Sequence, residues 1–270
     1  MTKKIPWPKT ILFAKMTWPE VQKAVESNSL ALIVVGQTEE HGPHLPLDTD
    51  SLIGETVAKR AAEKLRDEGT PTVLLPTVWT GYTTVDLYAW PGTISIKPIH
   101  LVNILTDICE SLVRIGFKKI ALINCHGGNA FAMEVASREI RDRTSVAMCT
   151  IAPPQFIGAE QVLSTRDIHG GEGETSSYLA IAPEYVDMEK APKEPLKYKG
   201  KKAMSAAAAT KAYWWSSWSL EKRKSGIMGD ATPATREKGE RLLKLGVDAV
   251  VEMLKDYYNS PFVTPEEHGN

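Results

Sequence analysis

Four short apolar runs, each bounded by turn-forming residues, constrain the fold of this chain more than any other feature. Their length and their content of β-branched residues favour strands over helices. Their nearly continuous apolar character indicates strands that are buried on both faces, as in a parallel sheet. The runs are Leu30–Val35, Val73–Val78, Ile120–Ile123 and Val146–Ile151.

Longer segments in which apolar residues recur with helical spacing separate these runs. The alternation of strands and helices predicts an α/β layered domain with a mostly parallel central sheet. A chain of 270 residues with a hydrophobic share of 43% suits a single domain over residues 1–270. The charged, proline-bearing stretch 186–203 is interpreted as a surface excursion within that domain. The predicted helices are Ser51–Arg66, Pro98–Ile115, Asn129–Arg141 and Thr235–Tyr257.

The charge balance argues against two classes of partner. The chain has 32 Lys and Arg against 33 Asp and Glu, a net charge of −1, which gives no electrostatic reason to expect nucleic acid or an anionic membrane. Its three dispersed cysteines do not read as a disulfide framework, and the N-terminus lacks the apolar core of a signal peptide. No apolar run reaches the length of a membrane span. We therefore expect a cytoplasmic protein.

A dense group of ligand-type residues directly follows the first predicted strand. In open α/β sheets, ligands bind beyond the carboxyl ends of the strands, so the location suits a functional site. Carboxylates and imidazoles together are ligands for zinc, manganese or iron. Glu39 and His41 share one side of an extended stretch, and Asp50 returns after a turn to a position from which it could bridge two ions. The group comprises Glu39, Glu40, His41, His44, Asp48 and Asp50.

A structural role is the alternative for part of this group. Asp48 and Asp50 lie next to the start of a predicted helix, and aspartate is a common helix cap. His44 and Asp48 are predicted to be structural. Six ligand-type residues within twelve positions after a buried strand nevertheless favour a site over a simple polar loop.

A second polar cluster follows the third predicted strand. His126 stands between Cys125 and two glycines, and these glycines allow the backbone to approach a ligand closely. Asn129 is of the type that caps the helix behind it. A structural hydrogen bond is the alternative for a histidine in such a turn. Its position at a second strand end favours a metal ligand.

The third cluster, HGGEGET, holds His169, Glu172 and Glu174. Its glycines suit a tight loop, and Thr175 is placed to begin the helix that follows. His169 is suited to proton transfer, because imidazole titrates near neutrality. Glu172 is a candidate ligand. Acidic residues at a helix entry also favour the helix dipole, which is the alternative for Glu174.

These clusters, in this order and spacing, resemble the creatininase (creatinine amidohydrolase) family. The family pattern is a TE-x-HGPHLP-x-x-x-D block, an HGGN block and an HAGE-x-ET block, and here they stand as TEEHGPHLPLDTD, CHGGN and HGGEGET. Two further segments look like the family's FPGTI and GVxGDP elements, namely WPGTISI at 90–96 and SGIMGDAT at 225–232. The matches span residues 34 to 232.

The resemblance implies a three-layer α/β/α domain, a centre of two divalent metal ions, a small-molecule substrate and a homohexamer. By matched position, Glu39, Asp50 and His126 would hold one ion, and His41 and Asp50 would share the second. Creatinine-hydrolysing members take the last ligand from a glutamate at the place of Gly128. Since those members have no glutamate matching Glu172, we expect Glu172 to be the ligand that completes the coordination of the second ion. Glu174 matches a glutamate both in the creatinine-hydrolysing members and in the other members of the family. The resemblance then implies that it contacts a ligand from outside or is an alternative ligand.

The same resemblance gives His169 the place of the family's catalytic histidine and bears on the substrate. The creatinine-hydrolysing branch carries a Trp-Asp pair where this chain has Thr165 and Arg166, and an aromatic residue where this chain has Gly127. These departures argue against creatinine. Thr83, in the GYTT turn, could touch substrate, and Arg166 could orient an anionic group. A tryptophan stripe, which could line a pocket but is more often core or interface, comprises Trp214, Trp215 and Trp218.

The predicted function is metal-dependent hydrolysis of a C–N bond in a small cyclic or formyl amide. Two alternatives keep the metal ions. One is ring opening of a cyclic keto-inositol of the 3-dehydro-scyllo-inosose type by C–C cleavage, and the other is deformylation of a formamidopyrimidine nucleotide. A non-enzymatic scaffold with a structural metal site is a further hypothesis. An open ligand set argues against it, because structural sites are usually closed.

Overall fold

The computed structural model describes residues 7–154, 157–165, 168–195, 222–264 and 267. Arg166, the tryptophan stripe and the end of the predicted surface excursion lie outside the described residues.

A parallel sheet of four strands forms the centre of the described part of the chain, in the order β2-β1-β3-β4. Two strands differ from the prediction by more than one residue at an end. The second ends before Pro76, which has no N–H to donate to a ladder. The fourth begins after Ser145, whose φ of 62° ends the preceding helix in the left-handed conformation. The strands are β1 (Leu30–Val35), β2 (Thr72–Leu74), β3 (Lys119–Asn124) and β4 (Met148–Ile151).

Helices cover both faces of this sheet, which makes the three-layer α/β/α arrangement. Helix bounds agree with the sequence prediction to within three residues at all of the shared ends. The differences of three residues are the end of α4, at Thr144 instead of Arg141, and the start of α5, at Glu172 instead of Thr175. The helices are α1 (Trp18–Glu26), α2 (Thr49–Asp67), α3 (Pro98–Ile115), α4 (Ala130–Thr144), α5 (Glu172–Ile181) and α6 (Arg236–Asn259).

The central strand β1 is buried on both faces. Its side chains alternate between two cores, so that Leu32 packs toward α2 and α6 while Ile33 packs toward α3 and α4. Every residue of β1 is fully buried. Burial of an aliphatic side chain stabilises a fold by about 1.5–3 kcal/mol, so this one strand anchors both outer layers. The continuous apolar pattern LALIVV therefore corresponds to burial on both sides, as predicted.

The fold brings two strand ends and one helix start to the same edge of the sheet. In the register of β1 and β3, Val35 pairs with Asn124, so the segments after these strands leave the sheet side by side. Helix α5 packs against α2 and α6 and begins at this edge. A short antiparallel pair, β5 (Lys193–Glu194) with β6 (Gly229–Asp230), lies after α5 in the chain. Within the described residues, no helix has the length and apolar character that crossing a membrane requires.

Candidate metal centre

Six ligand-type side chains converge at this edge and are at most 7% exposed. We call them the metal cluster. The segments after β1 and β3 supply three of them, the first turn of α2 supplies one, and the segment before α5 and its first turn supply one each. The members are Glu39, His41, Asp50, His126, His169 and Glu174.

Asp50 lies between two imidazoles. Its Oδ2 is 3.1 Å from Nδ1 of His126, and its Oδ1 is 3.5 Å from Nε2 of His41. The two oxygens of one carboxylate therefore face two different histidines. This is the arrangement that a carboxylate bridging two cations requires.

Three groups within the metal cluster each have their ligand atoms within 4.8 Å of one another. The first is Glu39, Asp50 and His126, and in it Glu39 Oε1 lies 3.1 Å from His126 Nδ1. The second is His41, Asp50 and Glu174, with Glu174 Oε2 at 3.8 Å from His41 Nε2. The third joins Glu39 and His41 to His169. Asp50 belongs to the first two groups.

The donor set fits divalent cations. Both carboxylate oxygens of Glu39, Nε2 of His41 and Oδ2 of Asp50 are buried and make no well-aligned hydrogen bond with the described residues. Burying such groups without partners costs several kcal/mol, and coordination to a metal ion is one way in which proteins offset that cost. Mixed carboxylate and imidazole ligands suit zinc, manganese or iron.

The pKa values of the histidines in the metal cluster also indicate a site for cations. Burial opposes a charge on His41, but the carboxylates of Asp50, Glu174 and Glu39 outweigh it and raise the pKa of His41 to about 10. Burial likewise opposes a charge on His126, and the carboxylates of Glu39 and Asp50 raise its pKa well above the usual value. The carboxylates thus attract positive charge strongly. Metal binding would release the protons from these histidines, because a histidine binds a metal ion only when it is deprotonated.

The imidazole of His41 is held in the tautomer that a ligand needs. Its Nδ1 lies 3.1 Å from the carbonyl oxygen of Glu39. Because a carbonyl only accepts, Nδ1 carries the hydrogen, and the lone pair of Nε2 faces Asp50 and Glu174. Such backbone contacts orient metal-binding histidines in many proteins.

Glu174, and not Glu172, lies in the metal cluster. Glu172 is fully buried elsewhere, and its carboxylate accepts hydrogen bonds from Ser164, Thr165 and Lys238. The expectation that Glu172 is a ligand of the second ion does not fit this geometry. The reason is the start of α5: on a helix, residues two apart point about 200° away from each other, so one of these glutamates faces the cluster and the other faces away.

We expect opposite effects from substituting the two glutamates. Glu174→Gln should reduce the metal content of the purified protein, because a ligand of the second group loses its charge. Glu172→Gln should keep the metal content of the wild type and lower the free energy of unfolding by about 1–3 kcal/mol, the cost of leaving buried donors unsatisfied. Elemental analysis and chemical denaturation of both variants measure this. Metal loss in the Glu172 variant alone would reverse the assignment.

The pH dependence of stability provides the control for Glu172. Burial opposes its ionisation, but the Lys238 ammonium and the hydrogen bonds from Thr165 and Ser164 prevail and lower its pKa to about 2. A depressed carboxyl pKa stabilises the fold above the unfolded-state pKa, and this contribution disappears as the pH falls toward the folded-state pKa. The stability difference between wild type and Glu172→Gln should therefore shrink between about pH 5 and pH 2.

Gly128 has no room for a side chain. A Cβ at this position would lie 2.1 Å from the carbonyl oxygen of Tyr82 and 2.6 Å from Nε2 of His126. The loop that carries Tyr82 thus occupies the space in which a ligand from position 128 would begin. A ligand from α5 is consistent with this exclusion.

Gly128→Ala is expected to destabilise the fold by about 1–3 kcal/mol, because the added methyl group overpacks a buried backbone contact. It should also weaken metal binding, since the same methyl group displaces the His126 ring. Denaturation and metal content measured on one preparation test this. Ala132→Gly, a substitution at a buried position in the following helix α4, is a control that lowers stability through helix propensity and leaves the ligands in place.

His44 and Asp48 tie α2 to α5. His44 Nε2 lies 2.8 Å from the hydroxyl of Thr175, and Asp48 accepts a hydrogen bond of 2.9 Å from Tyr178. Asp48 is the N-cap residue of α2, but its side chain makes no capping hydrogen bond. The geometry agrees with the prediction that both residues are structural.

Asn129 does not cap α4 through its side chain, contrary to the prediction. Its amide oxygen accepts the N–H of Tyr82, and its amide nitrogen donates to the carbonyl of Gly36. Asn129 therefore fastens the GYTT turn to the end of β1. Thr83, in this turn, is buried, and its N–H donates to Ser95. These long-range contacts had no signal in the local sequence pattern.

Comparison with known proteins places the chain among hydrolases. The family profile described as creatininase, creatinine amidohydrolase, matches residues 14–254. Creatinine amidohydrolase of Pseudomonas putida is 26% identical over 273 residues, which cover 93% of this chain and 98% of that protein. A mycofactocin precursor peptide peptidase of Mycolicibacterium smegmatis is 30% identical over 84% of each chain. A 3-dehydro-scyllo-inosose hydrolase of Thermotoga maritima is 26% identical over 67% of this chain and 60% of that enzyme.

Solved structures show the same fold. The crystal structure of creatinine amidohydrolase has a TM-score of 0.78 at 22% identity and covers 94% of this chain and all of that one. A manganese form of creatininase and a Zn-Zn type mutant each have a TM-score of 0.77 at 23% identity, over 93% of this chain and 100% of theirs. With the family profile matched over most of the chain, this protein belongs to the creatininase family and is a metal-dependent hydrolase.

Proposed function

We propose that the metal cluster holds two divalent ions and hydrolyses a C–N bond of a small cyclic or formyl amide. The observation that carries this proposal is the position of Asp50 between two groups of ligands. In the proposal, Glu39, Asp50 and His126 hold one ion. His41, Asp50 and Glu174 hold the other. Zinc and manganese are the favoured metals, since both occur in creatininase structures of this fold.

When bound, a pair of divalent ions lowers the pKa of a shared water and polarises a carbonyl. The residues of the chain do the rest. Asp50 and the two histidines that it faces keep the ligand groups apart at a defined spacing. His169 lies beside this centre, with its ring 4.4 Å from that of His41, and it holds the proton that the leaving nitrogen takes up. The burial of the cluster excludes bulk water and strengthens these interactions.

An amide is the substrate class that we favour. The relatives named as an amidohydrolase and as a peptidase share cleavage of an amide C–N bond. Creatinine is not the substrate in this proposal. Positions 127 and 128 are glycines, and the space at Gly128 is taken by the backbone of Tyr82. The metal ligand and the aromatic residue that the creatinine-hydrolysing branch carries at these two positions are therefore absent here. Thr83 remains a candidate substrate contact, because its turn borders Gly128.

A second candidate function is ring opening of a cyclic keto-inositol by C–C cleavage. The similarity to the 3-dehydro-scyllo-inosose hydrolase favours it. The same residues would hold the ions, and the ions would supply the same chemistry to both reactions, namely activation of water and polarisation of a carbonyl. The two candidates differ in the bond that breaks and in whether nitrogen is released.

A substrate screen separates them. Zinc- and manganese-loaded protein is offered lactams, hydantoins, formamides, short peptides and keto-inositols, with Asp50→Asn as the matched control that keeps the shape of the side chain and removes its charge. We expect turnover of an amide by the wild type and none by the variant. Turnover of the keto-inositol alone would select the second candidate, and equal turnover by Asp50→Asn would exclude the metal cluster as the site of either reaction.

The family resemblance also leads us to propose a homohexamer. Light scattering coupled to size exclusion of the metal-loaded protein tests it. A mass near six times 29.7 kDa supports the proposal, and a monomer mass contradicts it.

A further inference from the structure

Glu40 occupies the variable position of the TE-x-HGPH block, between two members of the metal cluster, and has no role in the chemistry described so far. It is 4% exposed. A buried carboxylate without a partner is costly, so the contacts of its two oxygens indicate what it does.

The carboxylate of Glu40 faces the imidazole of His169. Glu40 Oε1 lies 3.4 Å from His169 Nε2, close enough for an ion pair, and neither atom makes a well-aligned hydrogen bond with any described residue. The other oxygen, Oε2, accepts the N–H of Gly42 at 2.9 Å. One oxygen of Glu40 thus accepts a backbone N–H, and the other faces a ring nitrogen that can donate to it, since a carboxylate accepts at each oxygen.

The two remaining family-like segments enclose this contact. In WPGTISI, the hydroxyl of Thr93 accepts the N–H of Glu40 at 3.3 Å. In SGIMGDAT, the backbone of Gly226 packs on the carboxylate so closely that a Cβ would lie 2.1 Å from Oε2. Gly226 also has a φ of 92°, which favours glycine. Both segments therefore exclude water from Glu40, and in a dry site a hydrogen bond to a carboxylate is strong.

The opposite side of the His169 ring faces the metal cluster. Its Nδ1 lies 3.5 Å from Oε1 of Glu39. Its backbone is fixed by two hydrogen bonds with Met228, in the same segment that covers Glu40. Two carboxylates on opposite sides of the ring thus leave one question open, namely which nitrogen carries the hydrogen in the neutral imidazole.

We propose that Glu40 is a positioning residue that accepts the Nε2–H of His169 and so turns the lone pair of Nδ1 toward the metal cluster and the substrate. Nδ1 is then the atom that exchanges a proton with the substrate. This inference rests on the proposed function for its catalytic meaning. The ring orientation itself does not depend on which substrate is cleaved.

Glu40→Gln tests the inference, because glutamine has the shape of glutamate but one of its terminal groups must donate. With its oxygen on the N–H of Gly42, the amide donates to Nε2 and forces the hydrogen of His169 onto Nδ1. In zinc-loaded protein with nitrogen-15 histidine, we expect His169 as the Nε2–H tautomer in the wild type and as the Nδ1–H tautomer in the variant. The His169→Gln spectrum assigns the signals.

The same variant has a kinetic signature. We expect kcat to fall by about 10–100-fold, the usual effect of removing an outer partner of a metal site, with KM, metal content and melting temperature close to the wild type. Glu63→Gln, on an exposed face of α2, is the matched control and should change nothing. Thr93→Val, which removes the hydroxyl that holds the Glu40 backbone, should lower kcat in the same direction if Glu40→Gln does not fold.

Three outcomes would overturn the inference. An unchanged His169 tautomer in Glu40→Gln shows that Glu40 does not set the ring. Loss of metal in step with loss of activity makes Glu40 a ligand instead. A melting temperature that falls while kcat per folded molecule stays constant makes it structural. If no amide is turned over by the wild type, the proposed function fails, and the tautomer experiment still decides the role of Glu40.

Discussion

Asp50→Ala is expected to release both metal ions and to lower turnover by at least about 10³-fold. Metal ions supply several kcal/mol of stabilisation to a transition state, and each 1.36 kcal/mol corresponds to a factor of ten in rate. The wild type should contain close to two equivalents of metal per chain when it is purified without chelator. Elemental analysis of both proteins, together with turnover, measures the effect.

The geometry of Asp50 explains why its loss should be larger than that of any other member of the cluster. It is shared by the groups around His126 and His41, at 3.1 and 3.5 Å from the two imidazoles. The opposing charges of His41 and His126 overcome the effect of burial and hold the pKa of Asp50 far below its usual value, so the carboxylate is ionised throughout the physiological range. Without it, both groups lose an anionic ligand at once.

Glu39→Ala is the matched control for this prediction. Glu39 is as buried as Asp50. Asp50 faces both His41 and His126, whereas the close contact of Glu39, at 3.1 Å, is with His126. We expect this variant to lose mainly one ion. Equal metal retention in the two variants would contradict the bridging role. A wild-type content of one equivalent or less at full activity would refute the two-metal proposal as a whole.

His169→Gln should keep both metal ions and the fold while turnover falls by about 10²–10⁴-fold, the usual contribution of general acid–base catalysis. His169 is a buried member of the metal cluster, with Glu39 and Glu40 on either side of its ring. Burial and the neighbouring His41 oppose a charge on this imidazole, but the two carboxylates prevail and raise the pKa of His169. The direction of this shift favours proton uptake by His169 relative to an ordinary histidine, which suits a group that accepts and then donates a proton.

The measurement separates three roles of His169. Melting temperature, metal content and turnover are determined on one preparation of His169→Gln. Lower turnover at constant metal content supports a proton donor. Metal loss in proportion to activity would make His169 a ligand, which the grouping of His169 with Glu39 and His41 allows geometrically. Lower stability with unchanged turnover per folded molecule would make it a structural histidine. His44→Gln is the control for a buried histidine outside the cluster.

Much of the fold followed from local pattern. The apolar run Leu30–Val35 has the bounds of the central strand, and the helical spacing in Pro98–Ile115 predicts the observed helix α3. A strand that is buried on both faces has a continuous apolar run, and a helix that is buried on one face has apolar residues with a period of 3.6. Both patterns are local in the chain. Strand ends were less predictable where a single proline or a left-handed residue interrupts the ladder.

The sequence by itself determined that Glu39, His41, Asp50 and His126 would meet, because parallel strands present their carboxyl ends at one edge of a sheet. Only the tertiary structure shows which of Glu172 and Glu174 lies in the metal cluster. That choice depends on where α5 begins, and Lys238 on α6 together with the segment at Ser164 holds Glu172 away from the cluster. The contact of Glu40 with His169 is likewise long-range. It joins residues far apart in the chain, and their pairing has no periodic signature in the local sequence.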